Sequence, residues 1–394
     1  MMKEEQVPRF AWAVVAVFWF LIFSYGANWF AVAPLLKDLE EIYDIGGEES
    51  HLLLSIIGLF VVLFAWPAGR VVDKKGPRAS VLVGSLLMVI GFGGRVWLNG
   101  SYLEILLATS IAGLGLAWLL VALAPQMIQW FREKASLAIG IVSSGLFIGF
   151  GTASFLSPYI KSLYGVNAVY KLFAILSLIS FLLYLCLGRD REKVEKKSPR
   201  LGEAFRGVFS TRNAFVYPLI GFLIVGSTLS ASALIPKMVI GSGFSEVWAG
   251  TITSAMLFGS ALGAFAFPYV ASRYGVKRSS LIVAILATIL WIMFGFSSTL
   301  LLCILIAFLF GVFLQASWPV ALHCQETEEG VNDRNVGIAA SAYISISNIG
   351  GALLPVIVGS VVGRGSGASL WNAYLVILIY LIVFTVLWGI VRRR

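Results

Sequence analysis

Twelve apolar runs, each long enough to cross a bilayer as a helix, constrain this chain more than any other feature of its sequence. A crossing takes about 20 residues at 1.5 Å each to span the roughly 30 Å hydrocarbon layer. The runs lie at 10–34, 51–69, 79–98, 103–128, 136–160 and 168–188, then at 213–236, 246–271, 279–297, 299–322, 336–362 and 371–391. Charged or turn-rich breaks separate them. Of 394 residues, 59% are hydrophobic and 12% charged. That is too little charge to cover a water-soluble globule, and too much apolar surface for a disordered chain. The expected fold class is an all-α integral membrane protein. The first run has no small-residue cleavage site behind it and reads as a span, not a removable signal.

The net charge of +9 follows the membrane. Lys and Arg are retained on the cytoplasmic side. With the N-terminus inside, 23 of the 29 Lys and Arg residues fall in inner segments. Lys37, Lys161, Lys171, Lys237 and Arg364 fall outside, and Arg95 falls near the outer end of span 3, where snorkelling to headgroups explains it and binding of an anionic substrate is the rival reading. The expectation is a multi-pass protein of the cell membrane, both termini cytoplasmic, touching anionic inner-leaflet lipids. It is expected to be monomeric and to bind no nucleic acid. Cys186, Cys303 and Cys324 form neither a disulfide framework nor a metal pattern, so no metal or cofactor is expected. Asn99-Gly100-Ser101 fits a glycosylation sequon on a short outer turn.

The chain also repeats itself. The longest polar stretch, 189–212, separates a first six-span unit (1–188) from a second (213–394) and reads as a solvated basic connector. Pro34 pairs with Pro236, Pro67 with Pro268, Pro125 with Pro319 and Pro158 with Pro355, at offsets of 202, 201, 194 and 197. Two loops repeat as well. After span 2 the chain reads Gly69-Arg-Val-Val-Asp73-Lys74-Lys75-Gly76-Pro77-Arg78; after span 8, Ser272-Arg273-Tyr274-Gly275-Val276-Lys277-Arg278. The first carries G-x-x-x-D-[KR]-x-G followed by a basic residue. With twelve spans and a basic central loop, the chain resembles the major facilitator superfamily over its whole length.

That resemblance implies two pseudo-symmetric six-helix bundles that move a small solute by alternating access, with spans 1, 4, 7 and 10 lining the path. It also implies a gate on the basic side. There Gly69 permits close helix approach, Gly76 makes the turn, and Asp73 caps span 11 near Asn335 to Gly337 with Arg132 as its basic partner. Lys74, Arg78, Arg273, Gly275 and Lys277 complete the motif pair. Ser272 stands where the first copy has Asp73, so this latch is expected to be one-sided.

Buried ionisable residues usually mark ion routes in membranes. Spans 1, 4, 5, 7, 10 and 11 have no Asp or Glu at mid-depth, and Glu326 sits at an inner end. Facilitated diffusion or exchange is therefore expected rather than a carboxylate proton relay. The path candidates are aromatic and neutral polar: Tyr25, Asn28 and Trp29, Trp118 and Gln126, Ser143, Ser227, Gln315 and Trp318, Tyr343 and Asn348. Several aromatic faces without a buried carboxylate fit a quaternary ammonium or zwitterion. Asn28-Trp29, the Asp73–Arg78 loop and Trp130-Phe131 also resemble the feline leukaemia virus subgroup C receptor-related transporters, which carry choline-like and haem-related substrates. This second resemblance implies Trp29 as a choline-cage residue, although span 5 has Ser143 and Ser144 where that family has Gln.

Alternatives are an organic-anion or proton-coupled permease, or a receptor on the same fold that does not transport. The drug-antiporter pattern G-x-x-x-G-P is met in span 5 only by Gly145-Leu-Phe-Ile-Gly149-Phe150, without the Pro. No hydrolase, zinc-protease or phosphate-loop motif occurs, so the chain is not expected to be an enzyme.

Overall fold

A computed structural model describes residues 7–97, 101–191, 201–332, 334–362 and 367–392; Asn99 and Gly100 of the sequon and most of the basic run at 192–200 lie outside them. The helices are α1 (Arg9–Phe30), α2 (Leu36–Tyr43), α3 (Gly47–Lys75), α4 (Pro77–Trp97), α5 (Tyr102–Phe131), α6 (Ala135–Tyr164), α7 (Val166–Leu187) and α8 (Leu201–Val208). They continue with α9 (Asn213–Gly241), α10 (Glu246–Tyr274), α11 (Val276–Gly295), α12 (Leu300–Ala316), α13 (Trp318–Glu326), α14 (Val336–Val362) and α15 (Gly367–Ile390). In lipid a helix satisfies its own backbone, so apolar runs of this length have no other open architecture available.

Eleven stretches are long and apolar enough to cross a membrane. One of them, Tyr102–Tyr164, is 63 residues long and contains two helices. They part at Arg132, whose φ of 48° and ψ of −115° no helix accommodates. The crossings therefore number twelve. Spans 1 to 12 are α1, α3, α4, α5, α6, α7, α9, α10, α11, α12 with α13, α14 and α15.

Boundaries depart from the sequence reading in three places. Span 1 ends at Phe30, and Pro34 falls in a 3-10 turn, Ala33–Leu35, leading into α2. Pro236 does not end span 7, because α9 continues to Gly241. Span 10 is broken: α12 stops at Ala316, and Pro319 lies in the first turn of α13, where a missing N–H costs nothing.

Each packing pair in the first six spans recurs in the second. Span 1 packs on 5 and 6 as span 7 packs on 11 and 12; spans 2 and 3 pack on 4 as 8 and 9 pack on 10; and 3 packs on 6 as 9 packs on 12. The halves meet chiefly through two crossed pairs, span 2 with 11 and span 5 with 8, with smaller contacts of span 4 on 11 and span 5 on 10. This is the twelve-helix, two-bundle arrangement.

Glycine sets the closest of these contacts. Between spans 8 and 10, a Cβ on Gly259, Gly263 or Gly311 would overlap the carbonyl of Phe308, Val312 or Met256 respectively. Helices without a hydrophobic drive between them associate by such close backbone approach. Buried hydroxyls are satisfied locally: Ser85, Thr109, Ser143, Thr228 and Ser260 each donate to the carbonyl one turn back. Gly311→Val is expected to lower thermal stability in detergent markedly, because overpacking against a fixed carbonyl costs about 1–3 kcal/mol or more. Gly58→Ala, whose added Cβ meets nothing within 4 Å, should melt with the parent; equal melting of all three proteins would refute the seam.

Candidate functional site

At the basic end of span 2, α3 brings Gly69 and Asp73 against the start of span 11. Gly337, in the first turn of α14, donates its N–H to Asp73 Oδ1 at 2.7 Å. An anion at a helix N-terminus is held by unsatisfied amides and by the helix dipole. The backbones come close because neither Gly69 nor Gly337 carries a Cβ; one on Gly69 would overlap Ser341 Oγ and the Gly337 carbonyl. Ser341 donates to the Ala65 carbonyl at 2.8 Å and Ser345 to that of Val62 at 3.3 Å. The charge acting on Asp73 is that of Arg70, one turn away on its own helix, and Arg132 lies exposed in the turn between α5 and α6. Lys74 is exposed as well.

The two loop copies share a backbone and differ in chemistry. Gly76 (φ 88°) and Gly275 (φ 90°) turn the chain in the same left-handed conformation. In the first copy the Arg78 N–H donates to Asp190 Oδ1 at 2.9 Å, which joins this loop to the end of span 6. In the second, Ser272 bonds back to the Tyr269 carbonyl, Arg273 lies 5.8 Å from the Tyr274 ring, and Lys277 Nζ donates to the Val391 carbonyl at 2.6 Å. Where Gly337 meets span 2, Gly140 of span 5 meets Ala264 and Pro268 of span 8. The close contact is kept, and no carboxylate accompanies it.

The first-half path candidates are engaged inside their own bundle. Tyr25 is fully buried and donates its hydroxyl to the Ala112 carbonyl at 2.7 Å. Asn28 Nδ2 donates to Ser24 O, Phe173 O and Ser177 Oγ at 2.7–2.8 Å, pinning span 1 to span 6. Trp29 is 8% exposed, its indole N–H donates to the Leu54 carbonyl, and Phe150 stands edge-on to its ring at 5.3 Å. Trp118 packs its Cβ against Gly84 of span 3 and accepts from Ser80 at its carbonyl. Gln126 accepts from the Tyr184 hydroxyl at 2.8 Å and donates to the Arg189 carbonyl. Ser143 bonds to its own helix.

The second-half candidates are less fully satisfied. Thr228 donates to Gln315 Oε1 at 3.4 Å, joining spans 7 and 10 just ahead of the break at Ser317. Tyr343 donates to the Trp318 carbonyl at 3.1 Å, and the two rings meet at 69°, 5.6 Å apart. Trp318 Nε1 and the hydroxyls of Ser227 and Ser230 are buried without a hydrogen-bond partner among the described residues. Asn348 is only partly buried; its amide N–H donates to the Ile344 carbonyl at 2.9 Å. Span 10 thus meets span 7 at Gln315 and span 11 at Trp318, while Ser227 and Ser230 lie buried on span 7.

A model of the Major Facilitator Superfamily matches residues 18–324. The chain belongs to that superfamily. The multi-drug resistance efflux pump PmrA of Streptococcus pneumoniae is 26% identical over 306 residues, covering 75% of this chain and 76% of that one. The cyanate transport protein CynX of Escherichia coli is 24% identical, covering 74% and 75%. Among solved structures, the transporter FucP in its outward conformation matches 98% of this chain and 100% of its own with a TM-score of 0.78 at 16% identity. A bacterial homologue of ferroportin in an outward-facing state matches 97% and 99% with a TM-score of 0.74 at 15% identity. The chain is a multi-pass membrane protein of a transporter family.

Three features of this superfamily member depart from its sequence reading or escape it. Arg95 does not snorkel: it is 2% exposed, inside the first bundle. Glu326, placed by the sequence at an inner end, is 4% exposed, and both its carboxyl oxygens lack hydrogen-bond partners among the described residues. The connector is not solvated throughout. Its helix α8 stacks Phe205 on Trp66 of span 2 at 4.9 Å and buries Val208 with Ile338, Ala339 and Ala342 of span 11. Phe205 and Val208 stand three apart, the helical spacing that could have marked an amphipathic segment.

Asp190 gives the loop a pH dependence. Burial pushes its carboxyl up to about 6, against the opposing pull of the Arg78 amide and guanidinium. The folded protein then holds a proton that the unfolded chain has released, so this group's contribution to stability falls as pH rises from about 4 through 6 and is constant above. Asp190→Asn keeps an acceptor for the Arg78 N–H. It should melt a few degrees above the parent at pH 7.5, with the difference closing toward pH 4; a constant difference would remove the carboxyl as its cause.

Proposed function

We propose that this protein is an alternating-access carrier of a small organic solute in the cell membrane, with both termini and the 189–212 connector cytoplasmic. The units 1–188 and 213–394 rock against each other, and the conformation described is the one closed on the cytoplasmic side. One observation carries this reading. Span 11 is buried from Gly337 through Ser345, whereas Leu353 and Val356 of the same helix are 51% and 67% exposed. Span 5 has the same polarity, buried at Ala138 and Ile139 and 74% exposed at Phe155. Both spans belong to the crossed pairs that join the halves, so the halves are together at the basic end and apart at the other.

The solute site we favour is the patch of Ser227, Ser230, Gln315, Trp318 and Tyr343, with Asn348 at its edge. Its unpartnered groups suit a solute with hydrogen-bonding atoms, and the Trp318–Tyr343 pair supplies the aromatic face that a cationic or zwitterionic group would use. Trp29 is less suited, because its ring and its N–H already have partners. Asp and Glu are missing at this depth, which favours diffusion or exchange over a carboxylate relay. Relatives named for multidrug efflux and for cyanate transport support a small-molecule cargo. They also bring back the drug-exporter reading, despite the span 5 motif without its Pro.

Two experiments test this. In the first, a Val356→Cys reporter is labelled from outside; Asp73→Asn should lower the labelled fraction, with the conformational equilibrium moving about two- to fivefold for a helix-terminus charge, and Gly69→Val should lower it further. Unchanged labelling in both would refute the gate. In the second, metabolites are screened by thermal shift, since a ligand of the native state raises its melting point. The best ligand should bind about tenfold more weakly to Trp318→Phe or Ser230→Ala and equally well to Trp29→Phe; the reverse pattern would move the site to the first bundle.

A further inference from the structure

Arg95 carries a positive charge into the first six-helix bundle without an anion to meet it. Its Nε donates to Thr109 Oγ1 at 3.0 Å and its Nη1 to the Asn28 carbonyl at 2.9 Å. The guanidinium lies 4.7 Å over the Phe92 ring and 5.9 Å from that of Tyr170. Its remaining nitrogen, Nη2, is buried with no hydrogen-bond partner among the described residues, and so is the hydroxyl of Tyr170. Arg95 is 2% exposed and Tyr170 5%.

The groups that act electrostatically on Arg95 are the tyrosines Tyr170, Tyr25 and Tyr43. Among the acids of this end, Asp38 pairs with Lys161 at 2.6 Å, Glu40 accepts from the Ser50 hydroxyl at 2.6 Å, Glu49 from the Gly46 N–H at 2.6 Å and Glu104 from the Ser101 N–H at 3.2 Å. Asn28 lies in the last turn of α1, so its carbonyl, at the negative end of that helix, offsets part of the charge. A buried guanidinium still costs several kcal/mol without a counter-charge, and buried donors in native proteins have acceptors. Two donors without one, on a guanidinium and on a ring 5.9 Å from it, describe the ligand they lack.

We propose that Arg95 and Tyr170 form a binding site for a small monovalent anion, occluded between spans 1, 3, 4 and 6. The anion accepts from Arg95 Nη2 and from the Tyr170 hydroxyl, with Phe92 covering the opposite face of the guanidinium. The near-complete burial of the surrounding side chains restricts the ligand to the size of a halide or a one-carbon carboxylate. The site is separate from the patch between spans 7, 10 and 11, and stands whichever solute is carried.

The test uses the full-length protein in detergent. Thermal unfolding is followed in sodium chloride, sodium formate and sodium gluconate at equal ionic strength, gluconate being too bulky to enter. The melting point should rise saturably with chloride, with formate or with both: chloride alone assigns a halide, formate alone a carboxylate, and either supports the site. Tyr170→Phe removes only a hydroxyl without a partner and should weaken the apparent affinity about tenfold, the loss of one charge-assisted hydrogen bond. Arg95→Gln should abolish the dependence. Coincident melting in the three salts would overturn the proposal, leaving water as the acceptor. An unchanged affinity in Tyr170→Phe would overturn it too, even should Arg95→Gln fail to fold.

Discussion

One hydrogen bond from the backbone of span 11 to a carboxylate of span 2 ties the two halves at the basic end, and its strength is modest. An anion at a helix N-terminus contributes about 0.3–1 kcal/mol, and up to about 2 kcal/mol where partly buried. A carrier needs states separated by no more than a few kcal/mol, so that a solute's binding energy can shift them. A latch of several ion pairs would hold one state too firmly. The bond between Gly337 and Asp73 is short because the two helices touch at glycines. The glycines therefore set the distance at which the carboxylate meets the helix end.

The halves are alike in packing and unlike in polarity. Gly76 and Gly275 make the same turn, and Gly337 and Gly140 make the same close approach. Only the first copy adds an acid across the interface. Duplicated bundles need the shared shape in order to meet at all, whereas a charge on one side is enough to bias the equilibrium. The connector contributes on that same side: α8 places Phe205 on span 2 and Val208 against span 11, so apolar burial at the basic end also depends on the halves being together.

Much of this was legible in the sequence because lipid leaves few options. Apolar length dictates a span, Lys and Arg mark a side, and the proline offsets expose the duplication. The loop at Asp73 could be located because glycine and aspartate there answer to backbone geometry, which a motif records. What stayed hidden was the direction in which each side chain points. Spans such as α9 and α15 carry no amphipathic stripe to show which face meets lipid, a neighbour or the path. Tyr25, Asn28 and Gln126 looked like solute ligands because polar groups in hydrocarbon require partners. They have partners, in Ala112, in Phe173 with Ser177, and in Tyr184.

The same reasoning separates the two bundles. In the first, Asn28 and Tyr25 of span 1 are spent on holding helices together. In the second, span 10 breaks at Ser317, ahead of Pro319, and Trp318 Nε1 and the Ser227 and Ser230 hydroxyls of span 7 have no hydrogen-bond partner among the described residues. Unsatisfied polar groups in a membrane interior are costly and are kept where a ligand completes them. A broken helix concentrates such groups, since the turns flanking the break lose part of their hydrogen bonding. Besides the Arg95 and Tyr170 donors of the first bundle, such groups thus lie on the discontinuous span 10 and on span 7.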